Sequence, residues 1–280
     1  MTKPCCRLAA GSIVGLAILI GACSSPQEPT PPPAPPPVNN APVIAAIQVA
    51  VLARTEVETN ITITATVTDA ETAAAALTYL WSANAGVFSG SGATVTWRLS
   101  KGAVQTPSTV TVRLAVVEPY QTLENGILVN REHRIEATAT PFRAHDSDAE
   151  TRALALAFLG KFVDNSVSAE SAVSDFSDSC EGKADELADV QNIRDTRIVV
   201  SSSFSVSSVT LNPELTLASI MAPCHFESIV LADGSTEIAD GTCLMTAIYE
   251  DQFWKLCTSN FDPNPGAMTA SALSFWGRRD

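Results

Sequence analysis

From Pro42 to about Thr140 the apolar and polar residues alternate with a period of two. In ITITATVT, Ile61, Ile63, Ala65 and Val67 fall on one face and the threonines on the other. TVTVRLAVV repeats the pattern with Val110, Val112, Leu114 and Val116, and LTYLWSA with Leu77, Tyr79 and Trp81. Such alternation predicts half-buried strands of antiparallel sheet. Turn residues interrupt it at Asn84 to Gly86, at Ser89-Gly90-Ser91-Gly92 and at Lys101-Gly102. About seven short strands at regular spacing predict a two-sheet sandwich over residues 43–140. Trp81, in mid-strand, is expected to pack between the sheets, and Trp97, near a strand end, to be the more exposed of the two.

The period changes around His145. Ser147 with Glu150 three residues on is a capping-box pattern. Leu154, Phe158 and Phe162 then recur at helical spacing, with Leu159 and Val163 beside them, and predict a helix ending near Asp164-Asn165. Further helices are expected over Ala169–Phe176 and Gly182–Arg194. Strands follow at Arg197–Val209, Leu215–Ala222, Phe226–Leu231, Cys243–Tyr249 and Phe253–Ser259. Helices followed by an antiparallel sheet make residues 150–280 an α+β domain, joined to the sandwich by a hinge over 141–149 that carries His145.

The chain starts differently. Lys3 and Arg7 precede an apolar or small-residue core from Gly11 to Gly21. A permanent bilayer span needs about 20 apolar residues, so this shorter core predicts a secretory signal over residues 1–22. Its end, Ile20-Gly21-Ala22-Cys23, resembles a bacterial lipobox. The resemblance implies that Cys23 receives a lipid and becomes the first mature residue; an ordinary signal cut near Ala22 is the alternative. Ser24, in place of the Asp that retains such proteins in the inner membrane, implies an outer-membrane location in the bacterial cell envelope. Residues 23–42 are rich in proline, which fixes φ and lacks an amide donor. They predict an extended, semi-rigid tether.

Charge and cysteines narrow the picture. The formal net charge is −13, and removing the positive charges of Lys3 and Arg7 takes it to −15. An acidic chain does not suit nucleic acid, whose phosphates need a basic face, nor anionic lipid, so membrane attachment falls to the acyl group. Cys5 and Cys6 leave with the signal. Cys180, Cys224, Cys243 and Cys257 remain, and an even count in an exported protein predicts two disulfides, in any of three connectivities. Zinc bound near Cys224 and His225 is the competing reading, but the sequence has no C-x-x-C pair.

Two further resemblances carry the fold. TATVTDAETAAAALTYLWSANAGVFSGSGATVTWRLS, followed by STVTVRLAVVE, resembles bacterial PKD-type Ig-like domains over about 75 residues. Asp69, Tyr79, Trp81, Gly86, Gly92 and Trp97 stand where that pattern expects them. Glu118 replaces the family's usual Asp, so the resemblance carries no calcium or turn role at that end. The ending AIYEDQFWKLCTSNF resembles the last hairpin of NTF2-like (cystatin-like cone) domains, with Trp254 and Leu256 on one face. The whole reads as a multidomain chain: signal and tether, all-β PKD/Ig-like sandwich, α+β NTF2-like domain. The first resemblance implies a spacer or contact module for protein or glycan. The second implies a conical pocket that some members use for catalysis.

Candidate chemistry is sparse. The histidines are His133, His145 and His225. Within the cone the one acid–base pairing the sequence offers is His225 with a carboxylate such as Asp175 or Asp178. Asp175, Asp178, Glu181, Asp185, Glu186 and Asp189 cluster without EF-hand spacing and read as a solvated helical face. G-x-S-x-G, H-E-x-x-H, Walker and G-x-G-x-x-G motifs are absent. The expectation is an envelope lipoprotein with no catalytic residues, metal or cofactor. It would bind a protein, glycan or small ligand, with His225 and Asp175 as the speculative pocket. The alternative is a hydrolase or isomerase working in the cone.

Overall fold

A computed structural model describes residues 38–50 and 54–264; the expected signal, Cys23 and most of the proline-rich tether lie outside them. Strand β1 (Val43–Val49) pairs with β3 (Ile61–Thr68), and β3 with β6 (Thr94–Arg98), which pairs with β5 (Val87–Ser89). The facing sheet runs β4 (Thr78–Ala83), β8 (Val112–Glu124), β9 (Ile127–Thr138). At one end β10 (Phe142–His145) lies between β2 (Thr55–Glu56) and β7 (Ser108–Val110), parallel to the first and antiparallel to the second. The predicted alternation is present: Ile61, Ile63, Ala65 and Val67 are buried, as are Val110, Val112, Leu114 and Val116.

The two tryptophans exchange the roles expected of them. Trp97 is 0 % exposed, donates Nε1–H to the Ala85 carbonyl at 2.9 Å and meets Phe142 edge-to-face. Trp81 is only half-buried, with its Nε1–H on the Gly92 carbonyl. The reason is register. Trp97 pairs with Ile61, whose side chain points into the core, whereas β4 is an edge strand that covers the core from one side. Gly86 completes the arrangement: its φ is +81°, and a β-carbon there would overlap the Trp97 indole.

Helix α1 (Ser147–Val163), the single turn α2 (Ala169–Ala172) and α3 (Gly182–Thr196) follow. Their apolar sides pack on a sheet ordered β11 (Arg197–Phe204), β13 (Leu217–Val230), β14 (Thr236–Glu250), β15 (Phe253–Pro263), with β12 (Ser208–Leu211) continuing β11 along β13. This is the helices-on-sheet arrangement implied by the NTF2-like resemblance. The N-cap of α1 is Asp146 rather than Ser147: its carboxylate accepts from the Ala149 amide at 3.0 Å. The second helix stops at Ala172, short of Phe176. The two strands expected at 215–222 and 226–231 are one, running through Pro223. The Pro223 carbonyl accepts from Ser205 in the gap between β11 and β12. In an antiparallel ladder the same residue's missing N–H points to that gap, so no ladder bond is lost.

Two disulfides form, as the cysteine count predicted. Cys180 and Cys257 tie the start of α3 to β15 with Cα atoms 5.2 Å apart. Cys224 and Cys243 join neighbouring strands with Cα atoms 6.0 Å apart. Cys224 is therefore not available to zinc.

Residues 141–149, expected as a hinge, are strand β10 and the first turn of α1. Their backbone is held on both sides: β10 pairs with β2 and β7, and Val57 N–H reaches the His145 carbonyl at 2.7 Å.

Candidate functional site

A cluster of buried and half-buried polar side chains lies where the sandwich meets the α+β module. Strand β2 supplies Glu56, with Arg54 just before it. Strand β10 ends in His145, α1 opens with Ser147 and Glu150, and β14 and β15 contribute Tyr249 and Trp254.

His145 is 2 % exposed. Its Nδ1 lies 3.0 Å from Glu150 Oε2. The other Glu150 oxygen accepts from the Asp146 amide at 3.0 Å, so the N-terminal turn of α1 fixes the carboxylate. A carboxylate on Nδ1 holds the hydrogen there and leaves the Nε2 lone pair free. That lone pair receives the Tyr249 hydroxyl at 3.0 Å. Burial pushes the phenol above its ordinary pKa of 10.0, against the opposing pull of Arg54, so Tyr249 is a neutral donor at physiological pH.

Arg54 closes the cluster. Its guanidinium lies 3.6 Å over the centroid of the Tyr249 ring and 4.9 Å over Trp254. Nε is 2.7 Å from Glu56 Oε1, one terminal nitrogen donates to Ser147 Oγ at 2.6 Å, and the other donates to the Leu215 carbonyl. Glu56 in turn accepts from Ser147 through both its hydroxyl, at 2.5 Å, and its amide, at 3.0 Å. Most donors and acceptors in this group are used inside the protein, while the buried Trp254 Nε1 finds no hydrogen-bond partner and Arg54 Nε meets Glu56 only as an ion pair. A Tyr–His–Glu chain can pass a proton, but here each member is spent on its neighbour. The chemistry the cluster performs is to lock β2, β10, α1, β14 and β15 together.

The residues proposed from sequence lie elsewhere and do not meet. Alternation along β13 turns Cys224 and Phe226 toward the helices and His225 away from them. His225 Nδ1 pairs with Asp240 Oδ1 at 2.6 Å across the outer face, both side chains more than a third exposed. Asp175 sits beyond α2, with Lys161 at 2.6 Å and its carbonyl accepting from Leu256. Asp178 pairs with Lys183 at 2.5 Å, and that hydrogen bond holds its carboxyl below the usual range. His225 thus has a carboxylate partner, but not the one expected and not inside the cone. The space between the helices and the sheet is occupied by Phe158, Phe162, Phe176, Phe226, Met245 and Leu256, all buried in one apolar cluster. Of the acidic residues expected on a solvated face, Glu186 is buried.

No family model matches the chain, and no curated protein matches it. Solved structures are similar over part of it. A ketosteroid isomerase-like protein from Erwinia carotovora atroseptica is 14 % identical, covers 42 % of this chain and 97 % of its own, and has a TM-score of 0.37. A hexachlorocyclohexane dehydrochlorinase is 12 % identical, covering 43 % and 93 %, with a TM-score of 0.31. A domain with a cystatin-like fold from Nostoc punctiforme is 17 % identical, covering 45 % and 81 %, with a TM-score of 0.32.

Proposed function

We propose that this chain is a lipid-anchored lipoprotein of the bacterial outer membrane, whose PKD-like sandwich and cone-like head act as one rigid, non-catalytic binding or scaffold element for a cell-envelope protein or glycan. The carrying observation is the fate of the polar groups. The head's interior is filled by aromatic and aliphatic side chains, and the buried titratable residues at its edge are spent on fixing it to the sandwich. A display element needs a fixed orientation between its parts, and the Arg54–Tyr249–His145–Glu150 cluster supplies one. A cone enzyme needs an open cavity with an acid–base pair facing a substrate; His225 with Asp240 on the outer face does not meet that requirement. The lipobox-like Cys23 and the proline-rich tether support the anchoring half of the reading.

Metabolic labelling with a palmitate analogue in a Gram-negative host tests the anchor. The label is expected in the membrane fraction of the wild type and lost in Cys23→Ser, which should become soluble. Unlabelled, soluble wild-type protein would overturn the anchoring. Photo-crosslinking from the head in intact cells tests the second half. A discrete crosslinked envelope partner supports it, and stoichiometric capture of a small molecule in the head would overturn it.

A further inference from the structure

The hairpin of β8 and β9 runs past the rest of the sandwich. Its neighbour β4 follows β8 only as far as the Thr78–Val117 pair. Asn39, near the start of the described chain, sits on the next pair out, Glu118 with His133. Beyond it β8 and β9 continue from Pro119–Glu132 to Glu124–Ile127, with no third strand beside them among the described residues. At about 3.4 Å per residue this is a free two-stranded ribbon roughly 20 Å long. A lone two-stranded ribbon is marginal in water. This one is held by Tyr120 stacked on His133, 4.4 Å between ring centroids, by Gln121 Nε2 donating to Asn130 Oδ1 at 3.0 Å, and by Arg131, which donates to both oxygens of Glu124. Asn125 and Gly126 close it with φ of +51° and +82°, the two positive angles that a type I′ turn requires. The tip so built is apolar: Leu123 is 48 %, Ile127 67 % and Leu128 66 % exposed. Leu123 and Leu128 are cross-strand partners on one face, and Ile127 points to the other. Between residues 121 and 130 the one ionisable side chain is Glu124, and its carboxylate is turned back onto Arg131.

We infer that this tip seats in the surface of a lipid bilayer, as a second attachment beside the acyl anchor; the inference rests on the lipid-anchored reading above. Position favours lipid over a protein partner. β8 begins directly after β7, the strand that pairs with β10 at the head end of the sandwich, and runs away from it. The tip and Asn39 therefore share the end opposite the head. Fifteen residues separate Cys23 from Asn39. Their reach of up to about 50 Å exceeds the roughly 20 Å of ribbon, so the anchor leaves the tip free to meet the membrane. The chemistry agrees, because three aliphatic side chains stand at a turn where polar residues are the rule, and no unpaired charge has to leave water with them. Depth is limited. The outward N–H and C=O groups of both strands would lack partners in hydrocarbon, which keeps the tip at the headgroup–acyl boundary, about 5–10 Å deep. Three side chains at that depth supplement an acyl anchor rather than replace it. Their effect is orientation: two attachments at one end hold the sandwich upright and turn the head away from the membrane, toward an envelope partner.

The test uses the acylated chain purified from membranes, its acylation read from the intact mass. A polarity-sensitive dye is placed on Ile127→Cys or, as control, on Ala232→Cys in the exposed turn between β13 and β14 of the head. In zwitterionic vesicles the dye at position 127 should shift to the blue and be quenched by a lipid-borne nitroxide, and the dye at position 232 should do neither. Leu123→Ser combined with Leu128→Ser should remove most of the shift and leave Tm unchanged, because both side chains lie outside the core. Adding phosphatidylglycerol should not strengthen the shift, since the tip carries no free charge. Water-like emission at position 127 of the acylated, vesicle-bound chain overturns the tip contact and leaves the anchor standing. Equal quenching of both probes overturns it too, as does a shift at position 127 that appears only when envelope proteins are added, which would make the occupant a protein. An intact mass without acyl chains overturns the anchor and, with it, this inference.

Discussion

Tyr249 donates its hydroxyl hydrogen to Nε2 of His145 at 3.0 Å, joining residues 104 positions apart. The bond crosses from the last hairpin of the head to the last strand of the sandwich. It works with Arg54, whose guanidinium covers the same phenol ring. Neither module can tilt without breaking this contact and exposing His145. Interfaces within a chain are by default mobile unless large and apolar; here a buried hydrogen-bonded network does the same work, because an orphaned buried group is costly.

Tyr249→Phe keeps the ring under Arg54 but leaves His145 Nε2 without a donor. A loss of about 1–3 kcal/mol is expected from one unsatisfied buried acceptor. Arg54→Ala removes the stacking and three polar contacts at once and should do more than destabilise. If the junction couples the modules, calorimetry should show one transition for the wild type and two for Arg54→Ala. Two transitions in the wild type would contradict the coupling.

The tryptophans give a second comparison. Trp97 is enclosed by Ile61, Phe142 and the backbone of Gly86, while Trp81 lies on an edge strand. Trp97→Ala should cost about 3–5 kcal/mol, as large-to-small changes in a packed core do, and Trp81→Ala clearly less. Gly86→Ala should rank with Trp97→Ala, since it combines a left-handed φ with an overlap on the indole. Denaturant midpoints of the three variants check the order.

The strands of the sandwich were legible because one face of each is buried, so ITITATVT states both its period and its inward face. The helix α1 was legible from Leu154, Phe158 and Phe162. The fate of the tryptophans was not, because burial depends on which strand lies at the sheet edge, and pairing order is non-local. His225 was misplaced for a related reason. The expected strands stop at Ala222 and resume at Phe226, whereas one strand runs through both, and its unbroken alternation is what turns His225 outward. The junction cluster left almost no local trace. Its members come from residues 54–56, 145–150 and 249–254, and only the turn of α1 showed, as a capping pattern displaced by one residue from the true N-cap.

Disulfide mapping tests the cysteine connectivity. Non-reducing peptide analysis should recover Cys180 with Cys257 and Cys224 with Cys243, and none of the four cross pairs. The first closes a loop of 77 residues and the second one of 19. The chain-entropy relation gives roughly 4.5 and 3 kcal/mol for loops of these lengths. Cys180→Ser with Cys257→Ser should therefore cost more than the Cys224, Cys243 double variant. The reverse order in urea midpoints would show that the buried β13–β14 pair stabilises through packing rather than loop closure.

Glu250 makes the stability of the head depend on pH. Hydrogen bonds from Ser177 Oγ at 2.6 Å and Ser179 Oγ at 2.8 Å, with Lys255 Nζ at 2.9 Å, hold its carboxyl at about 2, down from the ordinary 4.5. The Ser177 contact is the largest cause. A folded pKa below the unfolded one means that the folded state favours the ionised form. The contribution is complete above about pH 4.5 and disappears as pH falls from there through about 2. Asp148, lowered mainly by its hydrogen bond to Arg152, and Asp178, lowered mainly by Lys183, add slopes of the same sign. Glu250→Gln removes only the first of these. Urea midpoints of the two proteins should differ most above pH 4.5 and converge as pH approaches 2. Parallel curves over the whole acid range would mean that the carboxylate contributes through packing alone.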